Sequence, residues 1–172
     1  MNVLVTGAGG YIGSELTHLL LQEGHRVLGL DRYFFGQNLV ADLLAHPGFT
    51  ARVKDIRDVQ ASDFQDVDAV CDLAALSNDP SGDLDPALTL AINHAGRVRV
   101  ARSAKQAGVA RYVLASSCSV YGHGEATNLD EASAPRPLTT YAKGNLAAEE
   151  EILPLAAPGF TVTVLRQATV FG

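Results

Sequence analysis

The chain has 172 residues, 47% of them hydrophobic and 19% charged, with a formal net charge of −6. That balance gives one globular domain with a core, too short for two full domains and too apolar for a disordered chain. The acidic surplus, with no basic cluster, excludes a nucleic-acid partner, and no apolar run is long enough to span a membrane.

The chain enters at once a short apolar strand, Asn2–Thr6, with no basic stretch before it, which predicts a cytoplasmic protein without a leader. A helix follows over Tyr11–Gln22. Between them lies Gly7-Ala8-Gly9-Gly10-Tyr11-Ile12-Gly13, with glycines spaced as GxxGxxG at 7, 10 and 13. A glycine turn between strand and helix lets the backbone approach a pyrophosphate. The helix N-terminus beyond it, at Tyr11 and Ile12, offers amides and the positive end of a dipole.

A second strand, Arg26–Leu30, runs into Asp31, whose carboxylate is placed to accept hydrogen bonds from ribose hydroxyls and to repel a 2′-phosphate. That favours NAD over NADP, although Arg32 beside it could hold such a phosphate. A helix over Asn38–Ala45, a strand over Phe49–Val53 and a short turn at Ser62–Gln65 come next. They lead to a strand at Ala69–Leu73 and to Ser77-Asn78-Asp79-Pro80, which reads as a turn.

The helix predicted over Asp85–Gln106 has the best-marked ends. Asp85 can cap it, Pro86 suits its first position and Gly108 follows its last turn. A strand over Arg111–Ala115 then opens a long polar loop, Ser117 to Leu138, before a helix over Tyr141–Leu155 and a last strand at Thr161–Leu165. Alternating strands and helices predict an α/β domain, a Rossmann-type doubly wound parallel sheet. The five histidines are scattered, Cys71 and Cys118 stand in unlike contexts, and no metal site is expected.

With these residues in place, the chain resembles the extended short-chain dehydrogenase/reductase family, and especially its nucleotide-sugar epimerases and dehydratases. The resemblance runs along all 172 residues. Asp55-Ile56 resembles the pair that contacts adenine, and Leu73-Ala74-Ala75 the strand end beneath the nicotinamide-side ribose. Asn93 and Gly96 match the N-x-x-G element of the long helix, and Ser116 to Gly122 the serine-bearing strand end. The resemblance implies NAD as cofactor and a nucleotide-sugar substrate. It also implies Tyr141 as general base, Ser117 as its hydrogen-bonding assistant, and a homodimer packed through the two long helices.

Three departures qualify what is implied. The family's lysine, four residues after the tyrosine, is Asn145 here. It could bond a ribose hydroxyl but brings no positive charge, and Lys143 sits roughly 200° round the helix from Tyr141. The alternative reading is therefore an NAD-binding protein with impaired catalysis, whose cation a lysine at 145 would restore. Ser117-Cys118-Ser119 replaces the Thr-Asp-Glu of 4,6-dehydratases, which leaves epimerisation or simple oxidoreduction. The sequence ends in Leu165 to Gly172, where relatives continue into a smaller substrate lobe.

Overall fold

The computed structural model describes residues 1–34, 36–77, 79–123 and 128–170. Its strands are β1 (Asn2–Thr6), β2 (Arg26–Asp31), β3 (Phe49–Val53), β4 (Ala69–Asp72), β5 (Arg111–Ser117) and β6 (Thr161–Gln167). They form one parallel sheet in the order β3-β2-β1-β4-β5-β6. The order reverses direction between β1 and β4, and at such a switch point the connections leave the sheet on opposite faces and open a crevice at the strands' carboxyl ends.

The period of two along each strand divides the core. Leu4 packs with Val70, Tyr112 and Leu114 on one face, whereas Val3 and Val5 join Val27, Leu43 and Phe49 on the other. Buried on both faces, the central strands are continuous apolar runs. The β6 edge differs: Thr161, Thr163 and Leu165 are exposed.

The helices are α1 (Tyr11–Gln22), α2 (Asp79–Leu84), α3 (Pro86–Leu90), α4 (Arg97–Gln106) and α5 (Thr140–Ile152). One segment expected as helix, Asn38–Ala45, is a 3-10 turn over Asn38–Leu43. Its two buried residues, Val40 and Leu43, lie three apart, which suits three residues per turn. The helix expected over Asp85–Gln106 is helical from Pro86 but contains a wide π turn at Ala91–Gly96 between α3 and α4. Asp85 caps it from outside, accepting from the Leu88 amide at 3.0 Å.

The last helix begins one residue early, because Thr139 caps it by accepting from the Ala142 amide at 3.1 Å. It tightens to a 3-10 turn at Leu153–Leu155, where Pro154 has no N–H to continue the ladder. No helix is expected from the sequence at α2, because Pro80 closes a segment that reads as a turn. Asn78, residues 124–127 of the long loop and the final Phe171-Gly172 lie outside the described residues. Among those described, no helix is long and apolar enough to cross a membrane, and no three His, Cys, Asp or Glu gather as a metal site.

Candidate functional site

The glycine turn joins β1 to α1 at the mouth of the crevice. Gly7 has φ +70 and lies against the end of β4, where a Cβ would fall 2.9 Å from the Ala74 nitrogen. A Cβ on Gly13 would come within 2.0 Å of the Gly7 carbonyl oxygen, so the helix can approach the turn only with glycine there. A Cβ on Gly10 would meet only the Gly7 oxygen, at 3.2 Å, which leaves its other side open. No side chain caps α1, so its first-turn amides, near exposed Tyr11 and half-buried Ile12, face that space. An uncapped helix start above a bare backbone turn suits a pyrophosphate.

Asp31 ends β2 beside this turn. One carboxylate oxygen accepts from the Gly9 amide at 3.0 Å and the other from the Tyr33 amide at 2.7 Å. The carboxylate is thereby fixed in place with lone pairs to spare. Tyr33 adopts φ 51, and its ring lies where a Cβ on Gly9 would be. Arg32 is turned to Asp55 at 3.3 Å, with its guanidinium 4.6 Å from the Phe34 ring centroid.

Asp55 also pairs with Arg57 at 2.8 Å, and the Arg57 hydrogen bond holds its carboxyl below the usual range. Ile56 is buried in the core, close to Gly96, where a Cβ would sit 3.0 Å from the isoleucine methyl.

At the centre of the sheet edge, Thr6 ties β1 to β4. Its hydroxyl oxygen accepts from the Leu73 and Ala74 amides at 3.1 Å each, while its hydrogen goes to buried Asp72 at 2.5 Å. Tyr112 donates to the other Asp72 oxygen at 2.5 Å. Burial pushes the Asp72 carboxyl up from its ordinary value, against the pull of nearby Arg97. Asn93 clasps the backbone after Ala75: it accepts from the Leu76 amide at 2.8 Å and donates to the Leu76 carbonyl at 3.0 Å. Its amide thus fastens the segment that follows the end of β4.

Ser117 ends β5 and caps a 3-10 turn, Cys118–Tyr121, by accepting from the Ser119 amide at 3.2 Å. Tyr141 lies half-buried in the first turn of α5 and packs against α2, where a Cβ on Gly82 would be 3.5 Å from the tyrosine Cβ. Asn145 follows one turn later and is fully buried. It donates to the Tyr141 carbonyl at 3.1 Å and accepts from Arg97 at 2.6 Å. Glu149, one turn further, accepts from Ser116 and forms a buried pair with Arg166 at 2.7 Å. Arg166 also donates to the Tyr121 hydroxyl at 2.8 Å.

The strand-end residues share the carboxyl edge of the sheet, and the start of α5 lies one turn beyond Asn145, which Arg97 ties to that edge. Asn93, Ile56 and Asn145 are instead held within the protein. Sequence reasoning missed Asp72, Arg97, Glu149 and Arg166. A signal was present for two of them: Arg97 follows Asn93, and Glu149 follows Asn145, by one helical turn, so each faces inward with its predecessor.

A glycine turn, a carboxylate at the second strand end and a crevice at the switch point define a dinucleotide-binding fold. The model of the NAD dependent epimerase/dehydratase family matches residues 3–172, and the chain belongs to that family. It is 34% identical to the UDP-glucose 4-epimerase of Mycolicibacterium smegmatis over 161 residues, which are 87% of this chain and 49% of that one. It is 30% identical to UDP-glucuronic acid decarboxylase 1 of Danio rerio over 177 residues, covering 99% and 41% of the two chains. Among solved structures it is similar to the UDP-glucuronic acid 4-epimerase of Bacillus cereus in complex with NAD, with TM-score 0.90 and 26% identity over 100% of this chain and 58% of that one. The chain therefore spans about half the length of these relatives.

Proposed function

We propose that this chain is the NAD-binding half of a nucleotide-sugar epimerase or oxidoreductase, with Tyr141 as general base and Ser117 assisting it. The observation that carries this reading is the convergence of the glycine turn, Asp31, Ser117 and the Tyr141 helix around one crevice. Gly7, Gly10 and Gly13, with the first-turn amides at Tyr11 and Ile12, would hold the pyrophosphate. Asp31 would take the adenosine ribose, Asp55 and Ile56 would flank adenine, and Leu73 to Ala75 would lie beneath the second ribose. Bound there, NAD supplies an acceptor for hydride.

The tyrosine oxygen would take the proton from the sugar hydroxyl, and the Ser117 hydroxyl would hold that same oxygen in line. Asn93 serves from beneath, by fixing the Leu76 backbone, and Asn145 by tying the Tyr141 turn to Arg97. With Arg32 engaged by Asp55, the Asp31 carboxylate governs the ribose and selects NAD over NADP. Calorimetric titration of both cofactors tests this, and equal or tighter NADP binding overturns it.

Nucleotide-sugar turnover is tested by NADH absorbance with UDP-sugars, Tyr141→Phe being the inactive control. The alternative of a binder without turnover rests on Asn145, and the guanidinium beside Asn145 weakens its ground. A homodimer packed through the two long helical segments, Asp85–Gln106 and Tyr141–Leu155, belongs to the same reading. Along these helices Ala95, in the π turn, is exposed, whereas Ala148 is buried in the chain's own core. A monomer mass by analytical ultracentrifugation would remove the dimer.

A further inference from the structure

We propose that Arg97 is the resident cation of the site, a positioning residue that Asn145 holds against the Tyr141 turn and that sets there the positive charge the Tyr141 helix lacks. The inference rests on the reading of Tyr141 as base. A phenol that accepts a proton must first ionise, and a nearby positive charge favours the ionised form. Within α5 itself no side chain supplies that charge: Asn145 is neutral and Lys143 is exposed on another face.

Arg97 is 1% exposed, at the start of α4. Its Nε donates to the Ala74 carbonyl at 3.1 Å and one terminal nitrogen to the Ala115 carbonyl at 2.9 Å. The other terminal nitrogen donates to Asn145 Oδ1 at 2.6 Å. All three acceptors are neutral, and no carboxylate among the described residues reaches ion-pair distance of it. A guanidinium stays charged and only donates. That fixes the Asn145 amide with its oxygen toward Arg97 and its nitrogen toward the Tyr141 carbonyl. The charge thus sits one helical turn beneath Tyr141, between the carboxyl ends of β4 and β5.

The other charged groups around α5 are committed elsewhere. Arg166 is neutralised by Glu149, and Arg102 and His94 are paired with Glu151 on the outer face. Asp83 on α2 accepts from the Thr140 amide at 3.3 Å and would oppose the phenolate. Arg136 stands in the loop before α5, and Glu150 is exposed. Asp72, the carboxylate through which Arg97 is felt in the core, already accepts from Thr6 and Tyr112.

This placement reverses an expectation from sequence. A lysine put at 145 in the parent would meet Arg97 in a closed space and should destabilise the fold rather than repair the site. The cation has changed helices, and only one can be housed.

The test is a charge relocation. Tyrosine ring carbon resonances are titrated in this chain, with and without NAD, and the Tyr141 signal is assigned by its loss in Tyr141→Phe. In Arg97→Met the Tyr141 midpoint should rise by about 1 unit or more relative to the parent, a tenfold loss of phenolate at fixed pH. Arg97→Lys, and the double variant Arg97→Met with Asn145→Lys, should stay near the parent, while Asn145→Lys alone should lower the melting temperature.

A folded Arg97→Met protein with an unmoved Tyr141 midpoint overturns the proposal. If Arg97→Met does not fold, the double variant decides: a parental midpoint supports relocation of the charge, and a raised one overturns it. NAD reduction by a UDP-sugar that persists in Tyr141→Phe would break the general-base reading instead, which the Arg97 titration does not address.

Discussion

The two ends of the crevice are built by different means. The nucleotide end is a backbone construction: glycines bring main chain close to main chain, and Asp31 is held by two amides. Its ion pairs, Arg32 and Arg57 with Asp55, reach toward solvent. The tyrosine end is a side-chain construction, in which buried Arg97, Asn145, Glu149 and Asp72 join α4 and α5 to β1, β4, β5 and β6. At the first end the contacts are of main chain, Gly7 against Ala74 across β1 and β4 and Asp31 with the Gly9 amide. The second requires residues 48 apart in sequence, Arg97 and Asn145, to find each other before either can be buried.

This contrast predicts that damage at the nucleotide end is read mainly in binding, and damage at the tyrosine end mainly in stability. The largest effect that could break it is Gly13→Ala. A Cβ 2.0 Å from the Gly7 oxygen forces the turn open, and NAD affinity should fall beyond calorimetric detection. An affinity within threefold of the parent would show that the turn can relax.

Glu149→Gln should come next. It leaves Arg166 without its carboxylate in a nearly closed site, and removing one partner of a buried pair costs about 3–5 kcal/mol. Urea denaturation checks this, and a loss below about 1 kcal/mol would place the Arg166 charge effectively in water.

Asp31→Ala sharpens the comparison from the other side. It removes an acceptor for two half-buried amides, so stability should fall by only about 1 kcal/mol. NAD affinity should drop roughly tenfold or more, since hydrogen bonds to a charged group are worth about 1.5–3 kcal/mol. If melting temperature suffers more than binding, the division between the two ends fails.

The smallest effect is a surface reference. The Asp42 hydrogen bond, at 2.9 Å, raises the His18 pKa above its ordinary 6.5. A raised folded value means that the stabilisation is complete below pH 6.5 and is lost as pH rises through the folded value. The parent should therefore lose a small increment of melting temperature across that range relative to His18→Gln. Parallel curves would mean that the pair contributes nothing.

The sequence was legible where structure is local. Strand and helix order, the glycine turn and the carboxylate at the end of β2 could be read directly, because periodicity and φ preferences act within a few residues. The 3-10 turn at Asn38–Leu43 and the π turn at Ala91–Gly96 were less readable, since both depend on which side chains the rest of the fold buries. In the π turn, Asn93 reaches Leu76 and Gly96 meets Ile56, neither of them a neighbour in sequence.

Asn145 shows the division most clearly. By itself the sequence determined that a neutral amide follows Tyr141 by one turn, and in one dimension that is a missing charge. Only the tertiary structure decided what occupies the space beside it. A guanidinium must satisfy its donors wherever it is buried, and the carbonyls of Ala74 and Ala115, at the ends of adjacent strands, offer acceptors that Arg97 reaches from α4. Hydrogen-bond satisfaction is a property of three-dimensional neighbours, so the charge could be located only once the sheet and both helices were assembled.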